Sequence, residues 1–456
     1  MAVVLEEACG GLLLKVGAAG TSWRWAGADP LQQAFDDAVC AGSCRLDWSA
    51  TQGRHVVTTR RVRRGELLLA APALALVPLA PPPPAPQLSA QAANDAASLD
   101  LDGALIALGC ALIDPPRRSE TARRLLSHEE KLSPPQRASL RRLARELNAS
   151  RPASARRVDD DELARVLLCA RANSHRALDD ATASRPTRLG LYPAAALINH
   201  SCLPSACLAF ARDGAEAQVR ALLPLDEGVE VSCSYLAEEQ LHAPWEERRA
   251  LLREAHHFAP VEPPERAASQ AAALCAPATA LPLPSDLSIR EREARLRRLV
   301  ERANSAHAAG EVRAVEMAVG ELLQLERGGL SDLHGSHWLR QEAYAALLAL
   351  GRVVDDAGLV ARYSLQLIAA REEVLPGRAL PHLAALYAAH GGALCRMLSE
   401  ERVPPTKRAE VKAQAQAALS AAARIRETCL GAAHAVTQAT LAACARLRPA
   451  DRDTPS

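Results

Sequence analysis

The chain has 456 residues, 49% of them hydrophobic and only 3% aromatic, and its formal net charge at pH 7 is +1. This length is enough for two or three domains with their own cores, and the scarcity of aromatic side chains leaves alanine and leucine to fill them, which favours helices. The balanced charge argues against a general nucleic-acid binder and gives no electrostatic reason to expect attachment to a membrane.

The 12 cysteines are spread along the sequence without a Cys-x-x-Cys pair. This spacing indicates neither a tetrahedral zinc site nor the disulfide framework of a secreted protein. No apolar run is long enough to span a bilayer, and Glu6 and Glu7 stand where a signal peptide would carry basic residues. We therefore predict reduced thiols, no bound metal, and a location in the nucleus, the cytoplasm or both.

The first strand signals come after an N-terminal extension, residues 1–43, to which no function is assigned and which shows a helical pattern at 31–39. Strand patterns occupy residues 54–59 and 66–69 on either side of the turn Arg63-Arg64-Gly65. Alternating apolar residues around a glycine turn are typical of paired strands. We predict that these two strands form a small sheet.

A long interruption separates this strand block from the next one. It begins as a proline-rich linker with four consecutive prolines at 81–84, and helical signals then dominate residues 99–172. Ser133 is a candidate helix cap, and residues 161–168 form an amphipathic helical pattern. A helical insertion between two strand blocks, about residues 80–172, is what a split domain would show.

After residue 245 the sequence is helical almost to its end, apart from a proline-rich link at 276–285. The candidate helices lie near residues 288–309, 312–327, 337–350, 356–374, 380–398, 406–426 and 433–446. Paired amphipathic helices of this length are typical of tetratricopeptide-like repeats, which leave a concave surface. The strict repeat signature is absent, so an irregular helical bundle remains the alternative.

Two short motifs between residues 199 and 235 carry the strongest functional signal. One is Asn199-His200-Ser201-Cys202, and the other is a Gly-x-Glu-x-x-x-x-Tyr pattern formed by Gly228, Glu230 and Tyr235. An asparagine amide and the main chain beside it can hold a cofactor, and a tyrosine hydroxyl at the end of a strand can orient an amine. Separately, such residues are more often turn, cap or packing residues. Their combination resembles the core of a SET-domain protein lysine methyltransferase.

In these motifs the chain resembles the SET and MYND domain family of protein lysine methyltransferases, over roughly residues 44–445. Other local matches are Arg64-Gly65-Glu66, Asn173-Ser174, Gly190-Leu191-Tyr192-Pro193, Glu246-Glu247-Arg248-Arg249 and Pro376-Gly377. The resemblance implies an α+β fold. A split SET domain with small β-sheets and a knot-like core would occupy 44–235, a post-SET segment 236–275, and an all-α, tetratricopeptide-like domain 286–447.

The resemblance also implies a function, the methylation of a protein lysine with S-adenosylmethionine. Tyr235 would be the catalytic residue beside the lysine channel. Matched residue by residue, the cofactor-binding positions would be Asn199, His200, Asn173, Ser174, Gly53, His55 and Phe258. The expected partners are a protein substrate, histone or non-histone, and a second protein in the groove of the helical domain; neither a membrane nor a nucleic acid is expected.

The sequence departs from the family at both of its zinc sites. No cysteine lies between Cys44 and Cys110, so the MYND zinc finger is missing, and the post-SET cysteine cluster that should follow Arg253 is missing too. Cys202 is then expected to lack its zinc partners. The adjacent His256 and His257 point in different directions on any regular backbone, so we predict a surface or packing role for them rather than metal binding.

The cofactor loop departs from the family as well. His55 replaces the second glycine of the family's Gly-x-Gly and adds a titratable side chain near the expected cofactor. Two functions therefore remain open: an active methyltransferase that works without zinc, and a catalytically weak or inactive SET-fold scaffold whose helical domain binds a protein partner. The retention of Asn199, His200 and Tyr235 favours the enzyme.

Overall fold

The computed structural model describes residues 29–50, 52–79, 88–152, 155–156, 158–177, 186–260 and 288–447, together with the backbone of three strands before residue 29. The chain divides into two compact units, Met1–Ser234 and Tyr235–Ser456. The predicted α+β class and the all-helical C-terminal region are confirmed. The predicted linker at 81–84 and the predicted link at 276–285 lie outside the described residues.

The first unit begins with an antiparallel sheet that the sequence did not predict. Its strands are β1 Leu5–Ala8, β2 Gly11–Val16 and β3 Ser22–Trp25. Helix α1, Pro30–Ala38, follows and confirms the helical pattern at 31–39. Asp29 starts this helix because its side chain accepts a hydrogen bond from the Leu31 N–H at 2.9 Å.

The described residues of this unit contain ten further strands, arranged in three small sheets. They are β4 Cys44–Ser49, β5 Gly53–Thr58, β6 Leu67–Pro72, β7 Ala75–Pro78, β8 Ser174–Ala177, β9 Arg188–Leu191, β10 Asn199–His200, β11 Ala206–Ala211, β12 Glu216–Ala221 and β13 Glu230–Cys233. The strand orders are β10-β13-β5-β4, β11-β12-β6 and β7-β9-β8. Strands β10 and β13 run parallel. A parallel pair needs a long connection between its members, and the hairpin of β11 and β12 lies in that connection.

The two strands beside Arg63-Arg64-Gly65 do not pair with each other, so the predicted two-stranded sheet is wrong. Strand β5 pairs with β4 and β13, whereas β6 pairs with β12. Between them, Val62 and Leu225 exchange main-chain hydrogen bonds of 2.8 and 3.0 Å, and the Gly65 N–H donates to the Ala221 carbonyl at 2.8 Å. These long-range contacts direct β6 into the second sheet.

The predicted helical insertion is present between β7 and β8. Its helices are α2 Ala90–Ser98, α3 Gly103–Ile113, α4 Pro116–Arg123, α5 Pro134–Ser150 and α6 Asp160–Asn173. Ser133 caps α5 as predicted, in a reciprocal capping box with Gln136. Helices α3 and α6 approach closely, since a Cβ on Gly109 would lie 2.5 Å from Leu167 Cδ2. Their apolar faces join the strands in one buried core.

The apolar side of α3 faces this core. Ile106, Leu108, Leu112 and Ile113 are each at most 2% exposed. No single helix in the described part of the chain is long and apolar enough to cross a membrane. Helices α2 and α3 reach that length and composition only when they are counted together, although a bend of 94° separates them.

The second unit consists of helices. They are α7 Trp245–His256, α8 Ile289–Ala308, α9 Val312–Gln324, α10 Trp338–Val353, α11 Ala357–Val374, α12 Pro381–Ser399, α13 Arg408–Leu430 and α14 Ala435–Leu447. The seven predicted helices after residue 288 are confirmed, and α9 continues as a π-helical turn, Leu325–Gly329. From α8 onward each helix packs on the next one along the chain. Consecutive packing is what a helical repeat requires, and the tetratricopeptide-like assignment stays a prediction.

Candidate functional site

The Asn-His motif forms strand β10 at the edge of the first unit's four-stranded sheet. Asn199 lies opposite Ser232 and His200 opposite Cys233 of β13. The Ser201 N–H extends this pairing by donating to the Cys233 carbonyl at 2.8 Å. Strand β13 lies between β10 and β5, so the sheet places the Asn-His motif one strand away from the strand that starts at Gly53 and carries His55. Four predicted site residues therefore share one sheet.

The side-chain amide of Asn199 belongs to a hydrogen-bonded network with Glu230 and Gln52. Asn199 Nδ2 donates to Glu230 Oε1 at 3.2 Å and to the Gln52 carbonyl at 3.4 Å. Gln52 Nε2 donates to the other carboxylate oxygen, Oε2, at 2.7 Å. Hydrogen bonds to a carboxylate are stronger than those between neutral groups. The network orients the amide of Asn199, and both of its contacts use Nδ2, so Oδ1 can accept a hydrogen bond from a ligand.

Gly53 begins β5 in a conformation that suits glycine. Its φ is +66°, and no described atom lies within 4 Å of the position where its Cβ would stand. The residue therefore leaves open space beside the main chain, next to the Gln52 carbonyl that Asn199 contacts. His55 is 7% exposed, and its Nδ1 donates to the Gly53 carbonyl at 3.0 Å. This contact holds the His55 imidazole against its own strand.

Cys202 contacts the other motif residue, His200, and the expectation that it lacks zinc partners stays a prediction. The Cys202 thiol is buried, and its Sγ lies 3.2 Å from His200 Nε2. The two residues stand at positions i and i+2 at the end of β10, where the chain turns out of the sheet. This contact holds the His200 ring against the Cys202 thiol.

Asn173 and Ser174 stand in a different part of the first unit. Asn173 ends α6, and its Nδ2 donates to the carbonyls of Leu126 and Cys169, both at 2.8 Å. Ser174 begins β8, which pairs with β9 in another sheet. In the described residues no hydrogen bond joins either side chain to the Asn199 network. Their predicted contribution to a cofactor pocket stays a prediction.

Tyr235 follows β13 by two residues and belongs to an aromatic cluster with His256 and Phe258 in the second unit. Its ring centroid lies 4.9 Å from that of His256 and 6.1 Å from that of Phe258, with edge-to-face geometry toward Phe258. His256 ends α7, and His257 adopts a left-handed conformation with φ +59°, which ends the helix just before Phe258. The predicted packing role of His256 agrees with this contact. Tyr235 is 37% exposed.

Phe258 and Trp245 take part in different contacts in the second unit. Phe258 contacts Tyr235, whereas Trp245 receives the guanidinium of buried Arg248 on its ring face at 5.3 Å. In the described residues no group of three or more His, Cys, Asp and Glu side chains is arranged to hold a metal ion. The predicted lack of a metal remains a prediction.

Sequence analysis assigned no role to the partners of Asn199. Glu230 had a usable signal, because it lies in the Gly-x-Glu-x-x-x-x-Tyr pattern. Gln52 had none, because its contact with Glu230 spans 178 positions of the chain. Tertiary structure alone brings these two side chains together.

Comparison with known proteins gives matches only among solved structures. No family model and no curated protein matches the chain. It is similar to the SET domain of LSMT bound to lysine and AdoHcy, with a TM-score of 0.33 and 14% identity over 85% of this chain and 96% of that one. For Rubisco LSMT bound to sinefungin and monomethyllysine, the TM-score is 0.29, with 14% identity over 84% of this chain and 96% of that one. For Rubisco LSMT bound to AdoMet, the TM-score is 0.27, with 12% identity over the same shares. At these TM-scores the likeness carries no functional argument, which has to come from the residues themselves.

Proposed function

We propose that this protein is a protein-lysine methyltransferase that uses S-adenosylmethionine. The observation that carries the proposal is the parallel pairing of β10 with β13. It places the Asn199-His200 motif beside the strand that leads directly to Tyr235. Methyl transfer requires that the cofactor and the amine be held in the right geometry. One motif would hold the cofactor and the other would orient the amine.

The residues on β10 and β5 fit S-adenosylmethionine, which when bound supplies a methyl group on a positively charged sulfur. Asn199 offers Oδ1 from an amide that Glu230 already orients. Strand β10 lies at the edge of its sheet, and main-chain groups are of the kind that pair with an adenine edge. Gly53 leaves space for a ligand to approach the main chain, and His55 is tied back by the Gly53 carbonyl. These features support the cofactor assignment.

The role of Tyr235 is to orient the lysine amine. Its hydroxyl can accept a hydrogen bond from the amine and so direct the nitrogen lone pair. Contacts with His256 and Phe258 restrict the ring, and its 37% exposure leaves an edge for a substrate side chain. A tyrosine whose ring is already restricted loses less entropy when its hydroxyl aligns the amine with the methyl group. Such positioning is a main contribution of a protein to methyl transfer.

The finer parts of the proposal rest on the sequence motifs. We infer a divergent member of the SET and MYND domain family that lacks both zinc modules. Its substrate would be a lysine of a histone or non-histone protein, and its tetratricopeptide-like helices would offer a groove to a protein partner. Its location would be the nucleus, the cytoplasm or both.

Calorimetric titration with S-adenosylmethionine tests the proposal. We expect micromolar binding by the wild-type protein and none by Asn199→Ala. Asn304→Ala is the matched control, because Asn304 is exposed on α8 in the other unit, and it should bind like the wild type. If the wild-type protein does not bind the cofactor, the methyltransferase proposal fails and the inactive scaffold becomes the better explanation.

A further inference from the structure

The second unit contains a cavity that none of the predicted site residues lines. Its volume is about 220 Å³, including the solvent at its mouth. Its lining residues are Glu238, His242, Arg371, Leu375, Arg378, Leu380 and Leu383. The last five come from the end of α11, the loop after it and the start of α12. Most of this volume is open solvent, and the enclosed space is close to that of one water molecule, so the cavity suits only a very small group.

Three nitrogen atoms at this cavity are buried without a hydrogen-bond partner in the described part of the chain. They are His242 Nδ1, Arg371 Nε and Arg378 Nε. His242 is 6% exposed and Arg371 is 7% exposed. Buried polar groups in proteins are almost always paired, because leaving one unpaired costs free energy. The two guanidinium nitrogens can only donate, so the missing partner must accept hydrogen bonds.

Charge also indicates the nature of this partner. Burial lowers the pKa of both Arg371 and Arg378, the direction expected of cations that have lost water. Within the described residues neither guanidinium forms an ion pair. Burial also lowers the pKa of His242 to about 3, so this imidazole is neutral and adds no charge at pH 7. The cavity therefore favours an anion.

The two acids near the cavity are already engaged by the start of α12. Glu238 Oε2 accepts the His382 N–H at 2.7 Å, and Glu239 Oε1 lies 2.5 Å from His382 Nδ1. Burial raises the pKa of Glu238 to about 7, so close to neutral pH a large fraction of this side chain carries a proton that it can donate. An anion with a single negative charge is compatible with these neighbours. A doubly charged phosphate would be repelled more strongly by the Glu239 carboxylate.

The apolar part of the lining distinguishes an organic acid from an inorganic anion. Leu375, Leu380 and Leu383 are each at most 8% exposed. They can cover a methyl or methylene group attached to the anionic group. We propose that this cavity binds a carboxylate group, whose oxygens accept hydrogen bonds from Arg371 and Arg378 and whose carbon chain packs on these leucines.

The carboxylate could belong to a free small acid or to an acidic side chain of a peptide, and ligand-observed NMR at pH 7 and constant ionic strength distinguishes the two. The probes are ¹³C-labelled acetate, the capped tripeptide Gly-Glu-Gly, its Gly-Gln-Gly counterpart, and inorganic phosphate. We expect saturable binding of acetate or of the glutamate peptide, and none of the glutamine peptide. Acetate alone would indicate a free acid, and tighter binding of the glutamate peptide would indicate a side chain.

Variants connect this binding with the cavity. Arg378→Gln should weaken binding about tenfold or more, the effect of losing one charge-assisted hydrogen bond. Arg371→Gln is the second variant, but Arg371 is buried and its replacement can prevent folding. Arg378 is partly exposed, so Arg378→Gln is expected to fold and keeps the test valid. Arg352→Gln, at an exposed position of α10, is the matched control and should bind like the wild type. Equal binding by the Arg378 and Arg352 variants, no saturable binding of either carboxylate probe, or tighter binding of phosphate would each overturn the proposal.

Discussion

Glu230→Gln tests whether the Asn199 amide is positioned by its neighbour or simply exposed to the cofactor. In the wild-type protein the carboxylate accepts one hydrogen bond on each oxygen, at 2.7 Å from Gln52 Nε2 and at 3.2 Å from Asn199 Nδ2. A glutamine has one acceptor oxygen and one NH₂ group. It can therefore satisfy only one of these donors and places its own donor against the other.

The size of the effect follows from the lost contact. A hydrogen bond to a charged group contributes about 1.5–3 kcal/mol when it is buried. The Gln52 end of this network is exposed, so water replaces part of the loss, and we expect about 1 kcal/mol in the free energy of cofactor binding. This value corresponds to an affinity about fivefold lower.

Calorimetric titration with S-adenosylmethionine measures this change. Glu227→Gln is the matched control, because Glu227 is exposed three positions earlier and its replacement removes the same charge. We expect the control to bind like the wild type. Unchanged affinity in Glu230→Gln, together with lost binding in Asn199→Ala, would refute the positioning role. Equal losses of cofactor affinity in Glu230→Gln and Glu227→Gln would show that the effect comes from the removed charge and not from the position of Glu230.

Three further predictions concern catalysis and stability. Tyr235→Phe should keep cofactor affinity and lower methyl transfer by orders of magnitude, whereas Tyr387→Phe, whose hydroxyl donates to Glu372 on a helix surface, should keep full activity in the same assay. Burial raises the pKa of Glu238 from 4.5 to about 7, so the folded state binds this proton more tightly than the unfolded chain and native stability falls as pH rises through that interval. Glu238→Gln has no such proton, and because Glu238 is partly exposed we expect its urea-unfolding free energy to gain about 2 kcal/mol on the wild type between pH 4.5 and pH 8; a pH-independent difference would contradict this. Arg292, 3% exposed, donates to both oxygens of Asp332 at 2.7 and 2.9 Å, so Arg292→Gln should cost about 3 kcal/mol in urea unfolding, and a loss below about 1 kcal/mol would show that water replaces the pair.

Local sequence patterns determined the helices. The predicted helices after residue 288 are present, although α13 ends at Leu430 rather than near 426. Ser133 caps α5 as expected. Helix periodicity and caps depend on residues three or four positions apart, so they can be read directly along the chain.

The candidate site was only partly predictable. The motifs at Asn199-His200 and Tyr235 were visible because each lies within a short segment of the sequence. The contact of Cys202 with His200 and the orienting role of Glu230 required the folded sheet. A residue type with a chemical role can be recognised in a motif, but its neighbours in space cannot.

By itself, the sequence determined the helical second unit, the insertion between the strand blocks and the two candidate motifs. Tertiary structure alone decided that β5 and β6 enter different sheets and that Gln52 meets Glu230. It also decided that the Glu238 carboxylate receives the His382 N–H across 144 positions. Such contacts join segments far apart in the chain, and they leave no periodic pattern because only the folded backbone brings their partners within hydrogen-bonding distance.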